Sequence, residues 1–377
     1  RFFQDYEMQL VFYSEKNGFY KYFQNIIETL LEKSDVVVNY ITSDPNDKVF
    51  EMASDRFRPY YIGENKLIVL MMKMEADIVV MTTPDLESFH IKRSLVRKDN
   101  EYIYVPHDVN SPNLTFRKEA LDHFDTIFSS GCLCTKEIRK REELYKLPEK
   151  RIVEWGSGVI DNMIQSYEEM DKREKKTKEI LIAPSWQKDN ILSSCIETIL
   201  EALQGQGYKI IVRPHPQFVR HEEERLNDLR ERFHMNERDD MELQTDFSSN
   251  STVYEADVVI TDWSSIAFEY SFATLKPSLF INTPMKVMNE DYEELGITPI
   301  DIELRSKVGR SVDMDKLDTL PQVIDELLNS SEFSGESLRK IRDRYIYNIG
   351  SSSEAGARYI MERLAFYKKK HEEEDDY

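Results

Sequence analysis

The sequence predicts an α/β protein with two domains, each built on a doubly wound parallel sheet. Its length of 377 residues exceeds what one ordinary hydrophobic core holds, so two domains are expected. Short apolar strand-like runs alternate with helix-like runs, which is the pattern of parallel sheets with helices on both faces. This alternation breaks into an almost wholly charged stretch near residues 165–178 and then restarts, so we place the connection between the domains there.

In the first half, apolar runs predict strands and amphipathic runs predict helices in regular succession. The predicted strands are MQLVFYS, DVVVNYITS, RPYYIG, ADIVVMTT, EYIYVP and DTIFSS. The predicted helices are FYKYFQNIIETLLEK, NKLIVLMMKME and KEIRKREELYK. We therefore assign residues 1–165 to the N-terminal domain.

The second half repeats this pattern, so residues 166–335 are predicted to form a second domain. A helical C-terminal segment, 336–377, is expected to pack back on the first domain and to end in a frayed charged tail, KKKHEEEDDY. Two doubly wound domains place the carboxyl ends of their strands, and therefore a ligand, at the crevice between them. The strands of the second domain are EILIAPS, YKIIVRP, ADVVITD and PSLFIN, with helices over 190–204, over 219–233 and from Ser264.

Composition excludes several classes of function. The formal net charge is −20, whereas binding to duplex nucleic acid relies on a surplus of lysine and arginine, so no nucleic-acid partner is expected. General adhesion to anionic lipid is disfavoured for the same reason. HIKRSLVRK, residues 90–98, forms a local basic patch. Two interpretations stay open for it: contact with a phosphorylated lipid or polymer, or a solvent-exposed face. The 3 cysteines make no disulfide framework, which indicates a reducing compartment.

Membrane attachment is not evident in the sequence. No run approaches the roughly 20 apolar residues of a membrane span, and no basic amphipathic helix is obvious. Because the sequence begins at Arg1 rather than at methionine, we expect it to be a piece of a longer chain, with any membrane anchor upstream.

The clearest candidate site follows the buried strand ADVVIT. A helix that starts at Ser264 or Ser265 offers free N–H groups, two hydroxyls and the positive end of the helix dipole, which suit a phosphate. Glu269 lies one turn further on the same face and is suited to accept from ribose hydroxyls. Serine at a helix start is also ordinary capping, and Asp262 before it has an equally structural interpretation.

Two further strand ends carry polar groups in the same domain. In RPHPQ, two prolines stiffen the turn that presents Arg213, which can grip phosphate, and His215, which can donate to a leaving phosphate or act as a base. In LIAPSW, the strand ends in Ser185 and Trp186. The indole could stack on a base, but a tryptophan at a strand end is more often part of the core.

In the first domain, EYIYVPHDV places His107 directly after a strand, where an imidazole can take a proton from a hydroxyl near neutral pH. Asp108 is adjacent, but an extended chain would point it elsewhere, so no Asp–His couple is assumed. The remaining histidines form no metal-ligand spacing, so no metal is predicted. The nucleotide fingerprints G-x-G-x-x-G and G-x-x-x-x-G-K-[ST] are absent.

The motifs ILIAPSW, RPHP and ADVVITDWSSIAFEYSFATLKPSLF resemble, in this order, those of the CDP-glycerol glycerophosphotransferase family of teichoic acid and capsule polymerases. The resemblance implies a GT-B-type architecture, with two Rossmann-like domains facing a cleft, the first on the acceptor side and the second binding the nucleotide donor. It implies transfer of glycerol phosphate from CDP-glycerol to a hydroxyl of a membrane-associated glycan or polymer, releasing CMP. The enzyme would be a phosphotransferase without a further cofactor, at the cytoplasmic side of the bacterial plasma membrane.

Matched position by position, the resemblance makes His107 the base and His215 its partner in catalysis. The donor would be bound by Ser185, Arg213, His215, Asp262, Ser264, Ser265 and Glu269. Two positions depart from the family pattern, since Ser185 replaces a usual threonine and Asp108 replaces a glycine or another small residue.

Two alternatives stay open at the level of sequence. In one alternative, the chain is a glycosyltransferase or epimerase of the same fold and uses a nucleotide sugar, or it is a transferase that uses CDP-ribitol in place of CDP-glycerol. A non-catalytic envelope-assembly protein is disfavoured because the candidate site residues are all present.

Overall fold

The computed structural model describes residues 9–171 and 175–375, which form two compact units. Unit 1 comprises 9–161, Met288–Ile297 and 345–375, and unit 2 comprises 162–171, 175–287 and Thr298–Arg344. The domain bounds 1–165, 166–335 and 336–377 stay a prediction. Three predicted stretches lie partly outside the described residues: Met8 of the first strand, 172–174 of the charged connection and the last two residues of the tail.

Unit 1 contains a parallel sheet of seven strands in the order β3-β2-β1-β4-β5-β6-β7, which is the doubly wound arrangement. Its strands are β1 (Leu10–Ser14), β2 (Val38–Thr42), β3 (Phe57–Tyr61), β4 (Ile78–Met81), β5 (Glu101–Tyr104), β6 (Thr126–Ser129) and β7 (Arg151–Glu154). The helices in this part of the chain are α1 (Tyr20–Lys33), α2 (Glu64–Met72), α3 (Pro112–Thr115), α4 (Cys132–Tyr145) and α5 (Gly158–Glu169).

Unit 2 contains a parallel sheet of six strands in the order β10-β9-β8-β11-β12-β13. Its strands are β8 (Lys178–Ile182), β9 (Tyr208–Val212), β10 (Met241–Leu243), β11 (Val258–Thr261), β12 (Ser278–Asn282) and β13 (Gly309–Asp313). The helices that follow β8 are α6 (Ile191–Ser194), α7 (Ile196–Leu203), α8 (Pro216–His221), α9 (Glu223–Phe233), α10 (Ser251–Glu255), α11 (Ile266–Thr274), α12 (Ile300–Val308), α13 (Leu320–Asn329) and α14 (Gly335–Tyr345).

The last helix, α15 (Ser352–Asp375), belongs to unit 1. Short 3-10 helices lie at Lys48–Met52, Tyr292–Leu295, Met314–Thr319 and Ser331–Phe333. All the strand pairs formed by the described residues are parallel. The central strands are apolar and fully buried, as β1 and β4 show, because helices cover both faces of such a sheet. The predicted fold class, two doubly wound α/β units, is confirmed in this respect.

Three predicted helices differ in detail from the structure. The helix expected over 190–204 is two helices, because Cys195 leaves the helical conformation between α6 and α7. The helix expected over 219–233 begins earlier, at Pro216, and is interrupted at Glu222. The C-terminal segment is also two helices, α14 and α15.

The charged tail is not frayed over its described part, since α15 runs to Asp375. Its last turns are tied to the amino-terminal ends of the strands of unit 1. Lys370 pairs with Asp99, and His371 Nε2 lies 2.8 Å from Asp77 Oδ1. These ion pairs explain why a stretch without an apolar face stays helical.

A buried carboxylate fixes the middle of α15 on the sheet. Glu101, at the start of β5, is 1% exposed and accepts from Tyr359 Oη at 2.6 Å, from Arg363 and from Thr126 Oγ1 at 2.6 Å. A buried charge is tolerated only with such partners, so α15 is required for the stability of this part of unit 1.

The first glycine of the GSG sequence at 156–158 has a structural function. Gly156 has φ +101, and a Cβ placed there would lie 2.2 Å from the carbonyl oxygen of Tyr347. Gly131 likewise lets the carbonyl oxygen of Tyr345 approach, to 1.7 Å from an added Cβ. Glycine at both positions therefore allows the chain to return across unit 1 before α15.

Candidate active site

The candidate site in unit 2 lies where its strand order reverses. β8 and β11 are neighbours in the sheet, and the chain leaves them toward opposite edges, which opens a crevice at their carboxyl ends. Ser185 lies three residues after β8, and Asp262 follows β11 directly. Arg213 and His215 follow β9, the next strand on one side. The structure therefore brings the predicted donor-binding residues to one edge of one sheet.

Asp262 holds this edge together. Its carboxylate is 1% exposed and accepts from the backbone N–H of Ser185 at 2.8 Å and of Ile191 at 3.1 Å. Thr283 Oγ1, beyond the end of β12, lies 3.3 Å from the same carboxylate. A charge this deep is stabilised because several donors converge on it. Asp262 is therefore built into the framework of the site, which favours the structural interpretation of this residue.

Arg305 supports the backbone of Asp262, and no motif in the sequence indicated this role for Arg305. Its Nη1 donates to the backbone oxygen of Asp262 at 2.7 Å, and its Nη2 donates to Asn282 Oδ1 at 2.7 Å. The guanidinium lies 3.9 Å from the ring centroid of Trp263 and 4.6 Å from that of Phe280. Burial lowers the pKa of Arg305 to about 10, so the group stays charged at neutral pH.

The helix that follows begins directly after the predicted start at Ser264 or Ser265. α11 starts at Ile266 with Ser265 at its N-cap position. Ser265 Oγ donates to Glu269 Oε1 at 3.2 Å, which places the hydroxyl and the carboxylate side by side on one face. Ser264 Oγ lies 3.4 Å from the backbone nitrogen of Ile266. The start of α11 thus offers N–H groups, two hydroxyls and a carboxylate within one helical turn.

His215 is presented in a defined orientation. It is the N-cap of α8, and its Nδ1 accepts from the backbone N–H of Gln217 at 3.2 Å. A ring that accepts at Nδ1 carries its proton at Nε2, so this tautomer has Nε2 as a hydrogen-bond donor. Trp186 stacks on the ring, with centroids 5.9 Å apart and planes at 22°. The prolines, the cap and the stacking together explain why this exposed histidine is ordered.

Trp186 is not part of the core, so that expectation is wrong. The indole is 40% exposed, because the segment after β8 turns outward once Ser185 has bonded to Asp262. Its inner face packs edge-on against Phe218, with centroids 4.8 Å apart. The Oγ of Ser185 is buried and has no hydrogen-bond partner among the described residues.

Arg213 has a structural function that competes with the predicted phosphate contact. Its Nη1 donates to the Ser249 carbonyl at 2.9 Å, and Nη2 donates to Asn250 Oδ1 at 2.9 Å. Further Nη1 contacts reach Gln244 and Thr252, and the guanidinium lies over the ring of Phe247. Burial lowers the pKa of Arg213. A bidentate grip on phosphate needs the same nitrogens, so that role stays a prediction.

His107 lies in unit 1, in the segment between β5 and α3. Its ring is flanked by Tyr22 and Phe116, with centroid distances of 5.7 and 6.0 Å. Contrary to the expectation from an extended chain, Asp108 turns back, and its Oδ2 lies 3.7 Å from His107 Nε2. The other oxygen, Oδ1, is buried and has no hydrogen-bond partner in the part of the chain that the structure describes. Unit 1 therefore contains an imidazole with a carboxylate beside it.

The predicted residues thus fall into two groups. Unit 2 contains the seven donor-binding candidates, of which Ser185 and Asp262, and Ser265 and Glu269, are in direct contact. Unit 1 contains His107. Residues 9–171 and 175–375 contain no group of three or more histidine, cysteine, aspartate or glutamate side chains placed to hold a metal ion. The roles of these residues, including the absence of a metal, stay predictions.

The family model that matches this chain is described as CDP-glycerol:poly(glycerophosphate) glycerophosphotransferase and covers residues 8–362. The resemblance inferred from the motifs is thereby confirmed. No curated protein matches the chain.

Solved structures share the fold at low sequence identity. A variant of the wall teichoic acid polymerase TagF aligns with a TM-score of 0.59 at 15% identity, over 96% of this chain and 90% of that one. The UDP-GlcNAc 2-epimerase of Methanocaldococcus jannaschii gives 0.57 at 14% identity, over 89% of this chain and 98% of that one. MurG of Acinetobacter baumannii aligns with a TM-score of 0.50 at 11% identity, over 94% of this chain and 99% of that one. These neighbours confirm the GT-B-type fold class.

The Asp262 contacts predict a large loss of stability on substitution. Asp262→Asn keeps the size of the side chain but removes the charge and turns an NH2 group toward N–H donors. Since hydrogen bonds to a buried charge contribute about 1.5–3 kcal/mol each, we expect the free energy of unfolding to fall by roughly 3 kcal/mol in urea denaturation. The control is Asp189→Asn, an exposed position in the same segment. Equal stability of the two variants would contradict this function of Asp262.

Proposed function

We propose that this chain, which belongs to the CDP-glycerol:poly(glycerophosphate) glycerophosphotransferase family, transfers glycerol phosphate from CDP-glycerol to a hydroxyl of a membrane-associated glycan or polymer. The reaction releases CMP and serves synthesis of the bacterial cell envelope. The observation that supports it best is the start of α11, where Ser265 and Glu269 meet at the carboxyl edge of a doubly wound sheet.

The donor would bind in unit 2. The first N–H groups of α11 and the hydroxyls of Ser264 and Ser265 are suited to the pyrophosphate, which carries negative charge toward the positive end of the helix. Glu269, one turn on, is suited to accept hydrogen bonds from the ribose hydroxyls. His215 would donate from Nε2 to a phosphate oxygen, and the exposed face of Trp186 beside it limits where the nucleotide can lie.

The chemistry would be an in-line displacement at the phosphorus that carries glycerol. The acceptor oxygen forms a bond to this phosphorus while the bond from phosphorus to the bridging oxygen of CMP breaks. His107 takes the proton of the acceptor hydroxyl, and CMP leaves with the electron pair of the broken bond. The N–H groups of α11 and the His215 donor stabilise the charge that develops on the leaving phosphate. The scheme uses CDP-glycerol as the donor substrate and requires no cofactor.

Asp108 would determine which ring nitrogen of His107 acts as the base. In this chain a carboxylate lies 3.7 Å from His107 Nε2, where the family pattern has a small residue. It would favour a ring orientation with Nε2–H toward the carboxylate, leaving Nδ1 to take the proton from the acceptor.

The location follows from the proposed acceptor. We place the enzyme at the cytoplasmic side of the bacterial plasma membrane, where a lipid-linked acceptor would be reached. Within the described ranges, no helix is long and apolar enough to cross a bilayer.

A nucleotide-sugar transferase or epimerase is the second candidate. It is favoured by one observation, the common fold with MurG and with a UDP-GlcNAc 2-epimerase, because the same helix start would bind a sugar nucleotide. CDP-ribitol is a further possible donor. A test of CDP-glycerol, CDP-ribitol and UDP-GlcNAc as donors separates these cases.

Loss of the base is the first test of the mechanism. His107→Asn removes the proton acceptor, so CMP release from CDP-glycerol with a poly(glycerophosphate) primer should fall by roughly 100-fold or more. Binding of CDP-glycerol should stay unchanged, because the donor candidates lie in unit 2. His123→Asn, at an exposed position of unit 1, is the control and should keep full activity. Full activity of His107→Asn would exclude His107 as the base.

The ribose contact gives a separate prediction. Glu269→Gln keeps an acceptor oxygen but loses the charge, and hydrogen bonds to charged groups are stronger by about 1 kcal/mol or more. We therefore expect the Kd of CDP-glycerol, measured by calorimetry, to rise roughly 10-fold. Glu231→Gln, on the exposed face of α9, is the matched control. If both variants bind with the wild-type Kd, Glu269 does not contact the donor.

A further inference from the structure

Tyr104, the last residue of β5, carries a deeply buried hydroxyl. The residue is 1% exposed, and its Oη has no hydrogen-bond partner among the described residues. Its ring packs edge-on against Phe116 and Phe124, with centroids 6.1 and 5.3 Å apart. Phenylalanine would make the same ring contacts, and a buried hydroxyl that lacks a hydrogen bond costs stability. The packing of the described residues therefore does not explain why this position is a tyrosine.

Asp108, four residues further on, carries a second buried polar atom of this kind. Its Oδ1 forms no hydrogen bond within residues 9–171 and 175–375. Its Oδ2 lies 3.7 Å from His107 Nε2, which is slightly beyond hydrogen-bond distance. The carboxylate thus approaches the proposed base without forming a hydrogen bond to it.

Two observations place the Tyr104 hydroxyl close to Asp108 and His107. The ring of Phe116 contacts both neighbouring rings, since its centroid lies 6.1 Å from that of Tyr104 and 6.0 Å from that of His107. Burial raises the pKa of Tyr104 well above its usual value, and of the surrounding carboxylates Asp108 raises it most. A hydroxyl that can donate and a carboxylate oxygen that can accept therefore lie in one small region beside the proposed base.

Asp85 is the competing acceptor for this hydroxyl. Its carboxylate also raises the pKa of Tyr104, and its Oδ1 is buried, with no hydrogen bond to the part of the chain that the structure describes. Its Oδ2, however, is ion-paired with Arg117 Nη1 at 3.1 Å, whereas the ion-pair partner of Asp108 is His107. Of the two carboxylates, Asp108 is thus the one that connects the hydroxyl to the base.

We infer that Tyr104 is a positioning residue for the base, and that its hydroxyl donates to Asp108 Oδ1 when the acceptor binds. Asp108 Oδ2 then accepts from His107 Nε2, which fixes the imidazole with Nδ1 toward the acceptor hydroxyl. The proton of Tyr104 stays on its own oxygen throughout. Hydrogen bonds of this kind are often long before the substrate binds and shorten in the reacting complex.

This inference rests on the proposed function, in which His107 takes the proton of the acceptor. It concerns this chain rather than the family pattern, because Asp108 stands where that pattern has a small residue. A tyrosine at position 104 has a carboxylate to position only where such a replacement has occurred.

Removal of the hydroxyl tests the inference with little change in packing. In Tyr104→Phe, kcat for glycerol phosphate transfer should fall roughly 10-fold, with unchanged KM for CDP-glycerol and for the primer, because the lost hydrogen bond forms only in the reacting complex. The free energy of unfolding in urea should not fall, since the hydroxyl has no partner among the described residues. The control is Tyr40→Phe, another buried tyrosine of unit 1, which packs against Phe23 and Phe57 and should keep the wild-type kcat.

A double-mutant cycle identifies the partner of the hydroxyl. The losses of kcat in Tyr104→Phe and Asp108→Asn should not multiply in the double variant, because both substitutions break the same connection. The effects of Tyr104→Phe and Asp85→Asn should combine independently.

The tautomer of His107 gives a readout that does not require turnover. NMR of protein with isotope-labelled histidine, in the presence of saturating primer, should show His107 protonated at Nε2 in the wild type and a mixture of tautomers in Tyr104→Phe. The signal is assigned by its loss in His107→Asn.

Several outcomes would overturn the inference: wild-type kcat in Tyr104→Phe, a loss of stability that accompanies the loss of kcat, coupling to Asp85 rather than to Asp108, or the same tautomer of His107 in both proteins. If the wild type transfers glycerol phosphate and Tyr104→Phe is fully active, this inference alone is contradicted. If the wild type transfers a sugar from UDP-GlcNAc instead, the proposed function is contradicted, and the same variants with that donor still test Tyr104.

Discussion

The candidate site depends on one buried carboxylate. Asp262 accepts two backbone N–H groups from the segment after β8 and contacts a hydroxyl beyond β12, so it joins the ends of three strands that lie side by side. The hydrogen bond to Asp262 holds the backbone of Ser185 at the end of β8, and the next residue, Trp186, points toward solvent. Arg305 donates a hydrogen bond to the backbone oxygen of Asp262, and its guanidinium lies over the rings of Trp263 and Phe280. These hydrogen bonds connect the segments at this edge of the sheet without any ligand, and the proposed electrostatic stabilisation of a leaving phosphate requires such a preformed arrangement.

Unit 1 also contains a buried carboxylate with several hydrogen-bond donors, and there it holds helix α15 on the sheet. Glu101 is also a buried carboxylate whose partners lie far away in sequence, and it ties α15 to β5 and β6. Both units therefore place a charge where burial makes it expensive and offset the cost by convergent donors. Such residues fix which segments meet. In unit 2 the partners of Asp262 include the backbone of Ser185, one of the donor candidates.

The sequence was sufficient for the central strands and for the helix start after β11. Their signals are local: buried apolar runs, and serines at the beginning of a helix. The edge strands β7, β10 and β13 were not predicted, because they are short or polar, as RIVE, MEL and GRSVD show. The partners of Arg213 and Asp262 were not predictable either, since they lie 31–39 and 21–77 residues away. Asp108 could be identified as a departure from the family pattern, but its approach to His107 depends on a turn that the sequence does not specify.

The most direct test of the proposed function follows the transferred group. Wild-type protein is incubated with CDP-glycerol carrying isotope-labelled glycerol, with a poly(glycerophosphate) primer, and the primer is analysed by mass spectrometry. We expect the primer to gain labelled glycerol phosphate units, with one CMP released for each. Unchanged CDP-glycerol, together with transfer of a sugar from UDP-GlcNAc under the same conditions, would contradict glycerophosphate transfer.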